Sequence, residues 1–544
     1  MTQYLKNVFS ARQTPQSEPI PGSGQVPNSA GGFAWQVDDW ARLDRFLILG
    51  SEGGSYYASE RKLTLENADA VVRCLEADGE RLVRRVVEIS ESGRAPKNDP
   101  AIFALALACS FGDERARAAA FAAVPRVCRI GTHLFHFAEF VNGMRGWGRG
   151  LRRAVAAWYQ EKPVGALALQ AVKYQQRDRW SHRDLLRLAH PVPADEDRTA
   201  LYRWVTRGWE PERADRFGRE GELALVGGFE AVKAAATAAE VAECIRTYRL
   251  PREAVPTQWL TDREVWRALL EEMPMTALIR NLATLTRVGL VTPGSVGTRK
   301  VVEQLGDRER LRKARVHPIQ VLSALKTYAS GKGVRSDQSW APVPQVVDAL
   351  DAAFYAAFRN VEPTGKRWLL ALDVSGSMEC GVIAGCPGLT PRVASAAMAL
   401  VTAAVEKQYT AVAFASEGTF GCRSGSGLRP LALSSRQRLD DVVKLTQALP
   451  FGGTDCALPM LYALERRLEV DCFVVYTDSE TWAGSVHPAQ ALRQYREWMG
   501  IPARLIVVGM VSNGFSIADP NDPGMLDVVG FDTATPQLMT DFAR

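Results

Sequence analysis

Asp373-Val374-Ser375-Gly376-Ser377 places one carboxylate and two hydroxyls at alternate positions just after the apolar run Trp368–Leu372. A run of this length and composition suits a buried parallel strand. Its oxygens then fall in the loop at the strand's carboxyl end, where open α/β sheets gather ligands. Phe451-Gly452-Gly453-Thr454-Asp455 adds a hydroxyl behind two glycines that permit close backbone approach. Asp478 follows the apolar stretch Cys472–Thr477, which predicts a second strand ending at the same sheet edge. Hard oxygen donors suit a hard divalent cation, Mg2+ above all, which keeps several waters and needs few protein ligands. Asp373, Ser375, Ser377, Thr454 and Asp478 are the candidate metal ligands. With three hydroxyls and two carboxylates, the cation stays electrophilic and keeps a position for an acidic group of a partner.

These donors do not amount to an active site. A phosphatase motif D-x-D-x-T requires a second carboxylate where Ser375 stands. No G-x-S-x-G is present, and Gly425-Ser426-Gly427 lacks its upstream spacing. Thr364-Gly365-Lys366-Arg367 is not a phosphate-binding P-loop. His133-x-x-His136 lacks the glutamate of a zincin and reads as core packing. With no nucleophile–base pair in view, the expectation is a protein that binds and does not catalyse.

A second kind of chemistry lies between Lys173 and His190. Lys173 and Arg177 are four apart, the spacing of one helix face, and Ser181 suits the N-cap of a following helix carrying His182, Arg183 and Arg187. Like charges at that spacing cost an isolated helix about 0.2–0.5 kcal/mol per pair, which a bound phosphate would offset. Lys173, Arg177, His182, Arg183, Arg187 and His190 are therefore the candidate RNA contacts. A solvated face balanced by Asp178 and Asp184 fits the composition equally well. A further basic run, Arg299, Lys300, Arg308, Arg310, Arg312, Lys313 and Arg315, leads to His317 and could line a groove or hole. The better reading of that run is a solvated helix face paired with Glu303, Asp307 and Glu309.

The elements that must hold these groups fall into two blocks. Residues 1–32, rich in Pro, Gly, Ser and Gln, read as a flexible N-terminal arm or as a strap lying over the surface. Residues 33–362 make the next block, predicted to be almost all helical from about Leu63 to Leu350, with helices such as Glu66–Ser90, Gly165–Gln176 and His182–Ala189. Many mid-length helices on short connections suggest a solenoid of antiparallel pairs without a strict period; an irregular bundle is the alternative. Residues 363–544 alternate apolar runs (Trp368–Val374, Thr410–Phe414, Cys472–Thr477, Arg504–Val508) with helical stretches, the pattern of a doubly wound parallel sheet. Residues 1–360 carry a net charge of +9 and residues 361–544 a net −4, so a polyanion would meet the helical block. Nine cysteines with no C-x-x-C point to reduced thiols, and no apolar span reaches 18 residues. The protein is expected in the cytoplasm, away from membranes.

Together these stretches resemble the Ro autoantigen family, in which a TROVE module precedes a von Willebrand factor A domain. The segments that carry the likeness are Phe46-Leu47-Ile48-Leu49-Gly50-Ser51-Glu52-Gly53-Gly54-Ser55-Tyr56-Tyr57, Lys173–His190, and Asp351-Ala352-Ala353-Phe354-Tyr355 with Val361–Arg367. The metal motif, Gly452-Gly453-Thr454-Asp455-Cys456 and Ser512–Pro520 complete it. The resemblance implies a closed ring of HEAT-like helical repeats bridged by an A domain with a metal-ion-dependent adhesion site. It further implies small noncoding Y RNA on an outer basic surface at Lys173, Arg177 and His190, and the single-stranded 3′ end of misfolded RNA in a central hole. It implies a role in RNA quality control or processing and in stress survival, with a 3′ exoribonuclease (polynucleotide phosphorylase) as partner, for a protein acting as a monomer. Gly381–Gly388, beside the metal motif, is where the sequence is most individual. The alternative reading is a scaffold that tethers a protein partner through the metal. A metal-dependent nuclease is a weaker third.

Overall fold

The computed structural model describes residues 13–544 except 53–54, 56–57, 335–336, 359–361, 384–385, 387, 420–426, 435–436, 451 and 533. Residues 1–12 of the arm lie outside the described residues. So do Gly53, Gly54, Tyr56, Tyr57, Val361, Gly425, Ser426 and Phe451 of the quoted motifs, and Ala384, Gly385 and Pro387 of the glycine-rich loop.

From Asp39 to Ala356 the chain is helical apart from one short hairpin. The long helix Glu60–Ser92 starts at an N-cap serine, Ser59, whose hydroxyl accepts from the Lys62 amide, and it stops at Gly93 in the left-handed region. Successive helices then pack one after another around a circle. Asp99–Phe111 meets Gly131–Arg145, Glu114–Val127 meets Arg149–Glu161, and Ala238–Tyr248 meets Arg263–Glu271. The circle closes where the helix Pro318–Ser330 returns to the turn after Ser92. Arg315 Nη1 donates to the Glu91 carbonyl at 3.0 Å, His317 Nε2 lies 3.1 Å from the Arg94 carbonyl, and Gln320 Nε2 donates to the Pro96 carbonyl at 2.9 Å. The solenoid is thus a closed ring.

The sheet block begins at β5 (Arg367–Asp373). After it come β6 (Gln408–Phe414), β7 (Leu428–Leu431), β8 (Cys472–Thr477), β9 (Arg504–Gly509) and β11 (Met525–Val529). Their order is β11-β9-β8-β5-β6-β7, parallel except for the edge strand β7. Alternate residues of β5 serve opposite faces. Leu370 and Leu372 join a core with Val393, Ala397 and Leu400 of the helix Pro391–Val405, and Leu369 and Ala371 pack with Met460 and Leu492 on the other side. The first of these cores continues unbroken into the ring. The sequence-derived strands agree with the sheet; β7, β11 and the terminal helix Thr535–Ala543 were not anticipated.

Of the two readings of residues 1–32, the described part takes the strap and not the flexible arm. Residues 13–32 form a strap across the sheet block, because their polar side chains find buried partners there. Gln16 is fully buried: its amide donates to Asp455 Oδ1 at 2.7 Å and the Val486 carbonyl at 2.8 Å, and its carbonyl accepts from the Thr481 hydroxyl. Asn28 donates to the Thr481 carbonyl at 2.7 Å. Strand β1 (Gln25–Pro27) pairs with β2 (Phe33–Gln36), which pairs in turn with β10 (Phe515–Ser516), so the first and last parts of the chain share one small sheet. Among the described residues no helix is long and apolar enough to cross a membrane, and the cysteines form no disulfide.

Candidate metal centre and nucleic-acid interface

β5 and β8 are neighbours in the sheet, so Asp373 and Asp478 emerge side by side at its carboxyl edge. Three loops lock together there. The Thr477 hydroxyl donates to Asp373 Oδ2 at 2.7 Å, joining the first loop to the third. The Gly376 amide donates to the Gly452 carbonyl at 3.2 Å, joining the first to the second. The Thr454 carbonyl accepts from the amides of Trp482 and Ala483 at 3.1 and 3.0 Å, joining the second to the third. All five predicted ligands are buried, and Ser375 Oγ and Ser377 Oγ stand 3.1 Å apart.

The electrostatics of this cluster fit a cation. Burial, then the charge of Asp373 and that of Glu480, push the Asp478 carboxyl up to about 8, and burial also raises Asp373. Two adjacent buried carboxylates with hydroxyls around them are costly without a counter-charge. The buried Ser479 hydroxyl has no hydrogen-bond partner among the described residues, an acceptor left for a further atom. Its backbone takes φ +62°, a left-handed turn that folds the third loop back on itself. Among the described residues no group of three or more His, Cys, Asp and Glu side chains is placed to hold a metal ion, and the candidate set here relies on three hydroxyls, donors that hard divalent cations accept. Asp373, Ser375, Ser377, Thr454 and Asp478 would hold such an ion, which would supply a Lewis-acidic docking point.

The basic segment folds differently from the expectation. The predicted helix Gly165–Gln176 ends at Lys173, because Tyr174 leaves helical geometry at φ −120°, ψ 69°. Arg177 instead sits on β3 (Gln176–Arg177), paired with β4 (Trp180–Ser181) around Asp178 and Arg179, both at positive φ. Lys173 and Arg177 therefore do not share a helix face. Ser181 does cap the helix His182–Ala189, in a capping box with Asp184. Arg183 and Arg187 lie exposed on that helix, and His190 is exposed at its end in the left-handed conformation. Among the described residues Arg179, Arg183 and Arg187 pair with no carboxylate.

His182 must be withdrawn from the RNA contacts. It is buried, its Nδ1 lies 2.6 Å from the Tyr159 hydroxyl and its Nε2 3.3 Å from the Gln170 carbonyl. Burial lowers its pKa to about 4, so it is a neutral core histidine. His133 is half-buried, and desolvation lowers its pKa to about 3. Two tryptophans that sequence reasoning passed over flank the hairpin: Trp180 stacks on Trp147 with ring centroids 5.7 Å apart, and Trp180 Nε1 donates to Glu139 at 2.7 Å.

Lys173 faces a different place. It lines a cavity of about 570 Å3 together with Ser90, Arg129, Arg252, Thr276, Arg280, Arg315 and Gln320. These residues come from turns all round the circle, so the cavity lies on the ring's axis. Five of its walls are cationic and Glu253 is the acidic one. Burial and the nearby charge of Arg315 lower the pKa of Arg129, whose guanidinium is held by the Ser90 carbonyl and hydroxyl at 3.0 and 2.7 Å. Like charges gathered this closely favour an anion between them. The second basic run thus divides. Arg315 and His317 line the hole, Arg310 donates to the Met273 carbonyl, and Arg312 pairs with Glu309 at 3.0 Å on the surface. Arg129, Arg252 and Arg280 were missed, being single residues in a turn, at the start of a short 3-10 turn and within a helix, with no local pattern.

A TROVE domain is matched over residues 26–330 and a Ro60 vWA domain over residues 367–543. The chain belongs to the Ro60 family. It is 46% identical over 545 residues to the RNA-binding protein RO60 of Deinococcus radiodurans, covering 99% of each. It is 36% identical over 592 residues to the RNA-binding protein RO60 of Caenorhabditis elegans, covering 95% of this chain and 90% of that one. The crystal structure of the Deinococcus radiodurans RO protein superposes with a TM-score of 0.70 at 45% identity, over 93% of this chain and 99% of that one. Of the two relatives, the bacterial one is the more similar.

Proposed function

We propose that this chain is a non-catalytic RNA-binding scaffold of the cytoplasm, working as a monomer. Its outer patch of Arg177, Arg183, Arg187 and His190 holds a small structured RNA of the Y type by its phosphates. Its axial cavity takes the single-stranded 3′ end of misfolded or structured RNA. Lys173, at the cavity wall beside the hairpin, stands between the two. The observation that carries the reading is the ring-axis cavity with five cationic residues drawn from separate turns of the circle. Phosphate oxygens are the ligands that such forks suit, and base contacts are not required. Handing such RNA to a 3′ exoribonuclease, polynucleotide phosphorylase in particular, would make the scaffold part of RNA quality control and stress survival.

The test uses two double variants and two RNAs at matched salt. Arg177→Ala with Arg183→Ala is expected to weaken binding of a small structured RNA, and Arg252→Ala with Arg280→Ala to weaken binding of a hairpin with a single-stranded 3′ tail. Unchanged affinities in both would remove the reading. A second reading has its own support. Trp482 is 43% exposed and its indole lies against Gly453 of the metal loops, offering an apolar contact beside an Mg2+ site. On that reading EDTA would release a bound protein partner while leaving RNA bound.

A further inference from the structure

The axial cavity does not end at its basic walls. Pro96, Thr276, Arg280 and Gln320 border it and also border a second cavity of about 350 Å3, so the two spaces adjoin across these four residues. The second space has a different character. Ile279, Leu282, Tyr328 and Trp340 make its walls, and its charged groups are Arg280, at the shared border, and Lys97, which is paired with Glu52 at 2.5 Å. Phosphates have little reason to enter it. Trp340 is held in place: its indole Nε1 donates to the Tyr328 carbonyl at 2.9 Å, and the two rings stack at 6.2 Å with 25° between their planes. Ser323, Thr327 and Gln320 supply hydroxyl and amide groups at the same wall. Cys386, from the loop that follows the metal motif, completes the lining, and Lys326 Nζ fastens that loop by donating to the Gly388 carbonyl at 2.5 Å.

We infer that this second space is a chamber for one nucleobase, that of the last nucleotide of a strand whose phosphates occupy the basic cavity. The inference rests on the proposed capture of a 3′ end and adds a subsite to it. A nucleobase is the part of a nucleic acid that suits such walls: flat, apolar on its faces and polar at its edge. Stacking on an aromatic wall is sequence-tolerant, because every base has a π-face, and it is worth about 1–3 kcal/mol per base. The volume sits at the small end of ligand pockets, about 300–1,000 Å3, which limits the occupant to about one nucleotide. Phosphate recognition and base recognition are therefore separated along the ring axis, and Arg280 marks the border.

The experiment uses the full chain and a hairpin RNA ending in a tail of about ten uridines, a length within reach of single-strand sites. Three versions are compared: the intact tail, the tail with an abasic last nucleotide, and the tail with an abasic site five nucleotides upstream. Loss of the last base is expected to weaken binding about tenfold, and the upstream abasic site about twofold or less. Ala283 also lines the chamber, and Ala283→Trp, which fills it, is expected to bind intact and end-abasic tails alike, at the weaker level, with Ala283→Ser as the control that keeps the wild-type difference. Equal binding of intact and end-abasic tails by the wild-type chain would overturn the chamber while leaving 3′-end capture standing. A hairpin that binds equally well with no tail at all would overturn the capture itself, and the chamber with it.

Discussion

At the scale of single residues, charge placed against burial separates binding groups from structural ones. Arg183 and Arg187 are exposed cations with no carboxylate partner among the described residues, and Arg177 is exposed with Asp178 at 3.6 Å, whereas His182, in the same stretch of sequence, is sealed in the core. Removing a cation that neutralises a phosphate should lower affinity and also flatten its salt dependence, by about 0.7 in the log–log slope per phosphate for single strands. Arg252→Ala with Arg280→Ala is therefore expected to reduce that slope by about 1.4 for a tailed RNA, measured by titration across salt. The histidine makes a different prediction. Its folded pKa of about 4 lies below its ordinary 6.5, so the neutral form is favoured in the fold. Its contribution is present above pH 6.5 and is lost as pH falls toward 4, on the order of 3 kcal/mol. Thermal melts between these pH values should show His182→Gln with a shallower acid loss than the wild type, by about one proton taken up on unfolding.

The metal cluster gives a prediction with opposing signs. Asp478→Asn relieves the repulsion with Asp373 and should raise the melting temperature in EDTA, yet it should abolish the rise expected of the wild type in Mg2+. That rise amounts to about 2.7 kcal/mol when free ion exceeds Kd a hundredfold. Ser377→Ala should lose the Mg2+ response without the gain in EDTA. A wild-type chain whose melt ignores both Mg2+ and EDTA would remove the site.

At the scale of elements, boundaries decided what could be read in advance. Asp373 and Asp478 were placed correctly because each follows an unbroken apolar run, and neighbouring parallel strands end at the same edge. The helix His182–Ala189 was legible from Ser181 and the apolar spacing behind it. The break after Lys173 was not, since no Gly or Pro announces it and the hairpin turn uses Asp178 and Arg179 where glycine would be easier. His136 Nδ1 lies 2.5 Å from Asp178 Oδ2, a tertiary contact that holds the turn. Replacing Arg179 alone by Gly should relieve the left-handed turn while keeping Asp178 against His136, but remove one exposed cation. RNA affinity is then expected to fall modestly while the melting temperature holds or rises, a pair of readouts that separates charge from fold.

At the scale of the whole molecule, ring closure and domain attachment are one event. Arg315, His317 and Gln320 close the circle on the turn after Ser92, and Arg94 from that turn pairs with Asp532 of the sheet block at 3.0 Å. The buried Arg45 holds Asp527 of β11 through both carboxylate oxygens at 2.7 Å. Removing one partner of a buried pair leaves a charge unmatched and costs about 3–5 kcal/mol. Arg45→Met with Asp527 intact is therefore expected to lower the melting temperature of ring and sheet block together, in a single transition, because one core runs through both. Two separate transitions would show the blocks to be independent. This level was the least legible in sequence: the cavity cations at 129, 252, 280 and 315 are far apart in the chain, and only closure of the circle makes them neighbours.

The strap has a consequence for how the molecule is made. Gln16 lies among Asp455, Thr481 and Val486, and β2 takes β10 as its partner, so the strap has no home until segments 439 or more residues further on have been translated. Through most of synthesis those early residues must wait as unpaired chain while the circle of helices assembles beside them. The strap can seat only after those distant partners are in place. A bulky fusion placed just ahead of Gln16 would burden that late step, whereas one appended after Arg544 would not.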